Sequence, residues 1–387
     1  MIKRKITKEI KTLAKEFPIV VILGPRQSGK TTIAKYIFKK YDYVSMEDYD
    51  QRTRAIEDPR GFLKRYKENV IIDEIQRVPE LFSYLQTHTD NLKKNGSFVL
   101  TGSHNYLLME NITQSLAGRV GIATLFPLSL EEVKKDNILE AIFDGMYPRI
   151  IDQDIRPSSF YKTYVNTYLE KDIRLIKNIV DYGQFLRFLK LLAGRCGQIL
   201  NVQVMAEDIG VSVKTINGWI SVLETSYIIY RLQPYHNNYN KRIIKHPKIF
   251  FYDMGLVCYL LEFRNSRELE GYYQYGNLFE NFVINEFVKH SYNSGDIAKL
   301  YFWRDNHNNE IDLIMDGAVK LQAFEIKSGQ TFRKDFLKNL SKFDLLVDDK
   351  KNISKVIYGG DETMEFQGIK VLSWKELYNF RNVIERV

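Results

Sequence analysis

Apolar positions in the first third of the chain come in short unbroken runs separated by stretches of helical spacing. Val20-Val21-Ile22-Leu23, Val70-Ile71-Ile72 and Phe98-Val99-Leu100 are wholly apolar, as strands buried on both faces are. Strands and helices alternate in this way to about Leu130, behind a basic leading helix over 1–15. That alternation predicts an α/β fold with a parallel sheet flanked by helices. From 130 to about 177 the pattern turns helical, interrupted by Gly145-Met146-Tyr147-Pro148-Arg149. A helix over 160–176 would carry Tyr161, Tyr164, Val165, Tyr168 and Leu169 on one stripe, which reads as core. Next come a helix over 185–193, a segment over 202–208, a turn at Ile209-Gly210-Val211 and a helix over 212–224. In the last third an alternating strand over 309–315, a turn at Asp316-Gly317 and a returning strand over 321–327 predict a β-hairpin. The expected segments are 1–130, 131–180, 181–236 and 237–387.

At 387 residues the chain is long enough for two or three domains. Its 44% hydrophobic content supports full folding, and its 27% charged residues are mixed in sign along the sequence. The net charge of +8 and the pI near 9.0 permit an acidic partner such as nucleic acid without demanding one. No stretch approaches the roughly twenty apolar residues of a membrane span, and 1–15 lacks the apolar core of a signal peptide. A cytoplasmic protein with no membrane partner is expected. Cys196 and Cys258 stand far apart without metal-ligand spacing and read as core residues; the six histidines form no zinc pattern.

The first apolar run leads into Gly24-Pro25-Arg26-Gln27-Ser28-Gly29-Lys30-Thr31, which fits the phosphate-binding pattern G-x-x-x-x-G-K-[ST]. Gly24 and Gly29 let the backbone curl so that its N–H groups point at phosphate oxygens. Lys30 brings charge to the β- and γ-phosphates and Thr31 a hydroxyl to Mg²⁺. A helix over 30–38, with Thr32 in its first turn, sets its positive end behind the phosphates. The run Val70-Ile71-Ile72 ends in Asp73-Glu74, the Walker B arrangement. Asp73 is the expected Mg²⁺ partner and Glu74 the general base that polarises the attacking water. A third strand ends in Thr101-Gly102-Ser103, and farther on Ser115-Leu116-Ala117-Gly118-Arg119 precedes another strand-like run.

Together 24–31, 72–74, 100–103 and 116–130 resemble the AAA-type P-loop ATPase domain of a large bacterial and archaeal family whose C-terminal domain is of formally unknown function. The resemblance implies ATP rather than GTP as ligand, and Ser103 as the sensor of the γ-phosphate or lytic water, with Thr101 its neighbour. It implies Arg119 as an arginine finger acting in cis or from a neighbouring subunit, where an isolated reading leaves a surface arginine; a finger in trans would require a homo-oligomer. It also implies a helical lid after the ATPase sheet, including Gly145 to Pro148 and Tyr168-Leu169-Glu170-Lys171-Asp172.

Ala206-x3-Gly210 followed by apolar Ile216, Trp219, Ile220 and Leu223 has the spacing of a helix-turn-helix, with Ser212 capping the second helix. A hairpin over 227–232 would make it winged-helix-like. Lys214, Thr215, Asn217 and Ser221 would face DNA, unless the unit serves only as a packing module. The basic run Asn240-Lys241-Arg242-Ile243-Ile244-Lys245-His246-Pro247-Lys248 beside aromatic residues suits a phosphate backbone or a solvated strand face equally.

In the C-terminal hairpin Glu325 and Lys327 share a face, and strand pairing can bring Asp312 beside them. A helix over 276–290 offers Glu280 and Glu286. An acid on a helix followed by D-(x)n-E-x-K on a hairpin resembles the restriction-endonuclease-like α/β fold. That resemblance implies Glu280, Asp312 and Glu325 as Mg²⁺ ligands and Lys327 as the residue that generates or orients hydroxide. The combined expectation is a Mg-ATP-hydrolysing enzyme acting on DNA through a nuclease-like end. The alternative is a regulatory or signalling ATPase whose C-terminal domain is a non-catalytic DNA- or protein-binding scaffold.

Overall fold

The computed structural model describes residues 2–103, 112, 115–169, 182–235, 246–317, 320–347 and 351–385. The predicted basic run over 240–245 and the lid residues Glu170, Lys171 and Asp172 lie outside the described residues. Backbone packing divides the chain into two compact units. One comprises Met1–Leu128, Glu224–Ile228 and Tyr292–Asp296; the other comprises Ser129–Leu223, Ile229–Ser291 and Ile297–Val387.

In the first unit the apolar runs become β1 (Ile19–Leu23), β2 (Asp42–Ser45), β3 (Val70–Asp73), β4 (Phe98–Thr101) and β5 (Val120–Thr124). They form a sheet in the order β2-β3-β4-β1-β5 with every pair parallel, as the strand and helix alternation predicts. Val20, Ile22, Ile71, Val99 and Ala123 turn one face of this sheet towards Ile10 and Leu13 of the helix Thr7–Glu16 and Ile33 and Ala34 of the helix Lys30–Ile37. The consequence for chemistry lies in the order. Because β4 sits between β1 and β3, its C-terminal end lies between the loop after β1 and the acids that end β3.

The second unit is built on eight strands. These are β6 (Ile229–Pro234), β7 (Lys248–Phe251), β8 (Leu300–Arg304), β9 (Glu310–Asp316), β10 (Lys320–Lys327), β11 (Lys351–Tyr358), β12 (Met364–Phe366) and β13 (Ile369–Ser373), in the order β12-β13-β11-β10-β9-β8-β6-β7. The helix Tyr275–Ser294 precedes an antiparallel meander β8-β9-β10, and the helix Lys338–Asp344 then carries the chain to β11, parallel to β10. The core sequence is therefore α-β-β-β-α-β. β9 and β10 are buried on both faces, not one, so Asp312, Gln322 and Glu325 are interior polar residues.

Three local expectations change. The predicted wing over 227–232 is not a hairpin: β6 pairs antiparallel with the distant β7 and parallel with β8, inside the large sheet. The continuous helix expected over 160–176 is α-helical over Pro157–Thr163 and π-helical over Tyr164–Leu169. Lys248 is no member of a solvated basic face; it is 3% exposed. The helix pair Val202–Ile209 and Val213–Thr225 has the expected turn, with Gly210 at φ 79° and Ser212 Oγ accepting the Thr215 N–H at 3.0 Å.

Candidate functional site

The loop after β1 is shaped by backbone that few side chains tolerate. Gly24 has φ 139° and lies so close to β5 that a Cβ would collide with the Leu125 carbonyl, while Leu125 N–H donates to Leu23 O at 2.8 Å. Gln27 at φ 62° and Gly29 at φ 95° complete the curl into the helix Lys30–Ile37. Pro25 and Arg26 lie between, and Thr32 follows Thr31 in the first turn of that helix. Lys30 is buried, its ammonium donating to Gly24 O at 3.0 Å and Pro25 O at 2.7 Å, so it lies across the mouth of its own loop. Ser28 Oγ is buried and has no hydrogen-bond partner among the described residues, an orphan donor inside a loop suited to phosphate oxygens.

Across the β1 and β3 ends, Thr31 Oγ1 donates to Asp73 Oδ1 at 2.9 Å. Thr101 Oγ1, brought alongside by the pairing of β4 with both strands, donates to the same oxygen. A hydroxyl and a carboxylate in contact form a hard oxygen donor set that fits Mg²⁺. Sequence reasoning missed the other side of this carboxylate. Tyr43 on β2 donates to Asp73 Oδ2 at 2.9 Å, while the Lys35 ammonium lies 3.3 Å from its ring centroid. Burial, and then the Asp73 charge, push the Tyr43 hydroxyl up to about 12. The register that sets β2 beside β3, Ser45 opposite Asp73, is the tertiary fact that delivers it.

Glu74 adopts φ 54°, ψ 43°, a left-handed conformation uncommon for a non-glycine residue, at the start of the 3₁₀ turn Ile75–Arg77. Its carboxylate receives Gln76 Nε2 and lies 3.4 and 3.5 Å from Ser103 Oγ. Ser103 thus stands with the expected general base. Gln76 is a further holder of Glu74 that the motif alone does not reveal. Arg4 is the other omission: its buried guanidinium donates to Ser28 O at 2.9 Å and Phe126 O at 2.6 Å, fastening the chain start to the phosphate loop. In the sequence it is one cation among the lysines of a basic leader, and nothing there distinguishes it.

Arg119 corrects an expectation. It precedes β5 at the end of the sheet opposite the loop, its carbonyl accepting Ile19 N–H at 3.2 Å, and its guanidinium forks onto Asp90 at 2.7 and 2.9 Å. The five residues of β1 separate it from the phosphate loop by roughly 16 Å at about 3.3 Å per residue. No arginine side chain spans that, so the finger in cis is ruled out by the strand direction.

The second unit gathers its own constellation. Asp312 Oδ2 accepts Ile326 N–H at 2.7 Å across the β9–β10 pair, and Lys327 Nζ lies 3.4 Å from Asp312 and 2.7 Å from Glu325. Asn339 Nδ2 lies 3.4 Å from Glu325 Oε1, and Glu325 Oε2 is buried with no hydrogen-bond partner among the described residues. Donor atoms of Glu280, Glu310 and Asp312 fall within 4.8 Å of one another. Lys248 joins Glu280 at 2.8 Å and also bonds Glu310, which Arg304 approaches at 3.4 Å. Glu286 stands apart from this group, bonded to Leu130 N–H at 2.6 Å and Lys289 at 2.8 Å.

The sequence reading passed over Glu310, although it stands two before Asp312 on one strand face; Lys248 arrives only through β7 packing. Burial, opposed by Lys248 and reinforced by Asp312 and Glu310, pushes the Glu280 carboxyl well above its ordinary range. Burial and the Asp312 charge do the same to Glu325 against Lys327. For Lys248 the carboxylates of Glu280, Glu310 and Asp312 outweigh burial and favour the ammonium.

Comparison with known proteins agrees with the first unit. Residues 16–134 match the AAA domain family, while 135–267 and 275–377 match two families each described as a domain of unknown function (DUF8612 and DUF4143). An uncharacterized protein of Mycobacterium tuberculosis is 28% identical over 320 residues, 81% of this chain and 71% of that protein. One of Haemophilus influenzae is 23% identical over 399 residues, 92% of each. Among solved structures, the Walker-type ATPase of Pyrococcus abyssi aligns with 14% identity over 66% of this chain and 94% of that chain, at a TM-score of 0.45. Residues 16–134 thus form an AAA domain, which holds the phosphate loop and the acids that end β3. Among the described residues no helix is long and apolar enough to cross a membrane.

Proposed function

We propose that the chain hydrolyses Mg-ATP in its N-terminal unit and acts on DNA through a metal-dependent phosphodiester site in its C-terminal unit. The observation that carries the first part is the contact of Thr31 with Asp73, 2.9 Å apart, with Glu74 one residue beyond and held by Gln76 and Ser103. The backbone of 24–29 and the helix Lys30–Ile37 would bind the phosphates, and Lys30 would leave the loop carbonyls for the β- and γ-oxygens. Thr31 and Asp73 would hold Mg²⁺, which supplies neutralisation of the phosphate charge. Glu74 accepts the proton of the attacking water, and its fixed carboxylate avoids reorganisation at that moment.

The α-β-β-β-α-β order of the second unit, with Asp312, Glu325 and Lys327 on its central hairpin, supports the nuclease-like assignment. Glu280, Asp312 and Glu325 would hold the metal and Lys327 would orient the water. The exposed Lys214, Asn217 and Ser221 and the half-buried Thr215 lie on one side of the helix Val213–Thr225, available to a backbone. Any catalytic role of Arg119 is in trans, within a homo-oligomer.

The ion pairs of Lys248 with Glu280 and Glu310 favour a second reading, a regulatory ATPase whose C-terminal acids are spent structurally as a scaffold. Cleavage of single-stranded, duplex and branched DNA in Mg²⁺, with and without ATP, separates the two. Cleavage lost in Asp312→Ala with ATP turnover kept supports the nuclease; no cleavage of any substrate by a protein that turns over ATP supports the scaffold. Glu74→Gln should bind ATP and fail to hydrolyse it in either case.

A further inference from the structure

Lys248 has no part in the chemistry proposed above, yet it stands inside the acid cluster. It is 3% exposed, with Nζ 2.8 Å from Glu280 Oε1 and bonded also to Glu310. The donor atoms of Glu280, Glu310 and Asp312 lie within 4.8 Å of one another. Oxygens on opposite sides of one divalent cation would stand roughly 4–5 Å apart, from metal–oxygen distances of about 2.0–2.6 Å. The ammonium therefore shares carboxylates with a space of cation size. The neighbouring carboxylate offers a contrast: Glu325 Oε2 is buried and unpartnered among the described residues, while Lys327 bridges Glu325 and Asp312.

We propose that the Lys248 ammonium is a built-in cation filling one of two cation positions in this cluster, so that the C-terminal site takes a single divalent cation, on the Asp312–Glu325 side. The inference rests on the metal-site reading of that unit. Cation binding displaces the protons that burial leaves on Glu280 and Glu325; with Glu280, Glu310, Asp312 and Glu325 then all ionised against the ammonium groups of Lys248 and Lys327, two negative charges remain, which one divalent cation neutralises. A second divalent cation would meet the ammonium in its own place and leave an interior excess of two positive charges, against one once Lys248 is replaced by Met, with Arg304 at the rim adding to either. A cavity of about 360 Å³ bordered by Lys248, Glu280, Glu310 and Arg304 leaves the position reachable by an exchanging ion once the ammonium is removed.

The test counts Mn²⁺ bound to the nucleotide-free full chain by calorimetry, in an Asp73→Asn background that disables the N-terminal position. One Mn²⁺ is expected, lost in Glu325→Gln. Lys248→Met should bind two, and Lys248→Arg, which keeps the charge, one. A folded Lys248→Met that still binds one overturns the proposal while leaving the metal site intact, as does a parent that binds two. A parent binding none overturns the metal-site reading and the proposal with it. Should Lys248→Met unfold, Mn²⁺ replacing the lost charge should restore its melting transition where KCl of equal ionic strength does not. Absence of that Mn²⁺-specific recovery would refute the built-in cation.

Discussion

Tyr43→Phe removes one hydroxyl and leaves the ring, its packing and the Lys35 contact in place. The lost bond is the 2.9 Å donation to Asp73 Oδ2, the oxygen turned away from Thr31. A hydrogen bond to a charged group contributes roughly 1.5–3 kcal/mol. Tyr43 is 39% exposed, so water can replace part of that, and about 1 kcal/mol is the share expected to survive. Freed on one side, the Asp73 carboxylate rotates more readily and presents Oδ1 to the metal for less of the time. At about 1.4 kcal/mol per tenfold change, the half-saturating Mg²⁺ concentration for ATP turnover should rise roughly fivefold, with turnover at saturating Mg²⁺ nearly unchanged. The assay is steady-state ATP hydrolysis titrated with Mg²⁺ at fixed ATP, beside a melting curve to establish that the fold is intact. An unaltered Mg²⁺ dependence, or a loss of turnover that excess Mg²⁺ does not recover, would refute the reasoning.

Arg4→Ala strips Ser28 O and Phe126 O of a charged donor and should cost about 2–4 kcal/mol in urea unfolding while raising the KM for ATP; Arg4→Lys should not rescue it, since one ammonium lacks the guanidinium fork. Gly145→Ala should lower stability by about 3 kcal/mol or more, because φ 71° disfavours a side chain and a Cβ there would collide with the hydrogen-bonded Tyr161 hydroxyl and Asp253 carboxylate; circular dichroism melts measure it. In EDTA, stability should fall as pH rises from 4.5 towards about 8. Glu280 and Glu325, their carboxyls raised chiefly by burial, keep protons in the fold that the unfolded chain has released, and that contribution is lost as pH passes the folded value. Glu325→Gln should flatten the slope in melts across that range, and a wild-type profile flat from pH 5 to 8 would contradict the burial argument.

The strands and the phosphate loop were legible from local sequence because each rests on a short-range requirement. A parallel strand buried on both faces must be apolar throughout, and a loop that turns its N–H groups inward needs glycine at fixed offsets. Hence 20–31 and 70–74 identify themselves, and the two-residue period sets Glu325 and Lys327 on one face of their strand. What the sequence could not decide is which distant side chains complete each site. Tyr43 reaches Asp73 only because β2 pairs with β3, Arg4 reaches the loop from the chain start, and Lys248 enters the acid cluster from β7. Strand direction likewise sets Arg119 at the far end of the sheet, which its place in a motif-like run does not disclose. Local propensity acts over a few residues, whereas the desolvation of a charge and the partner that compensates it depend on the whole packed interior.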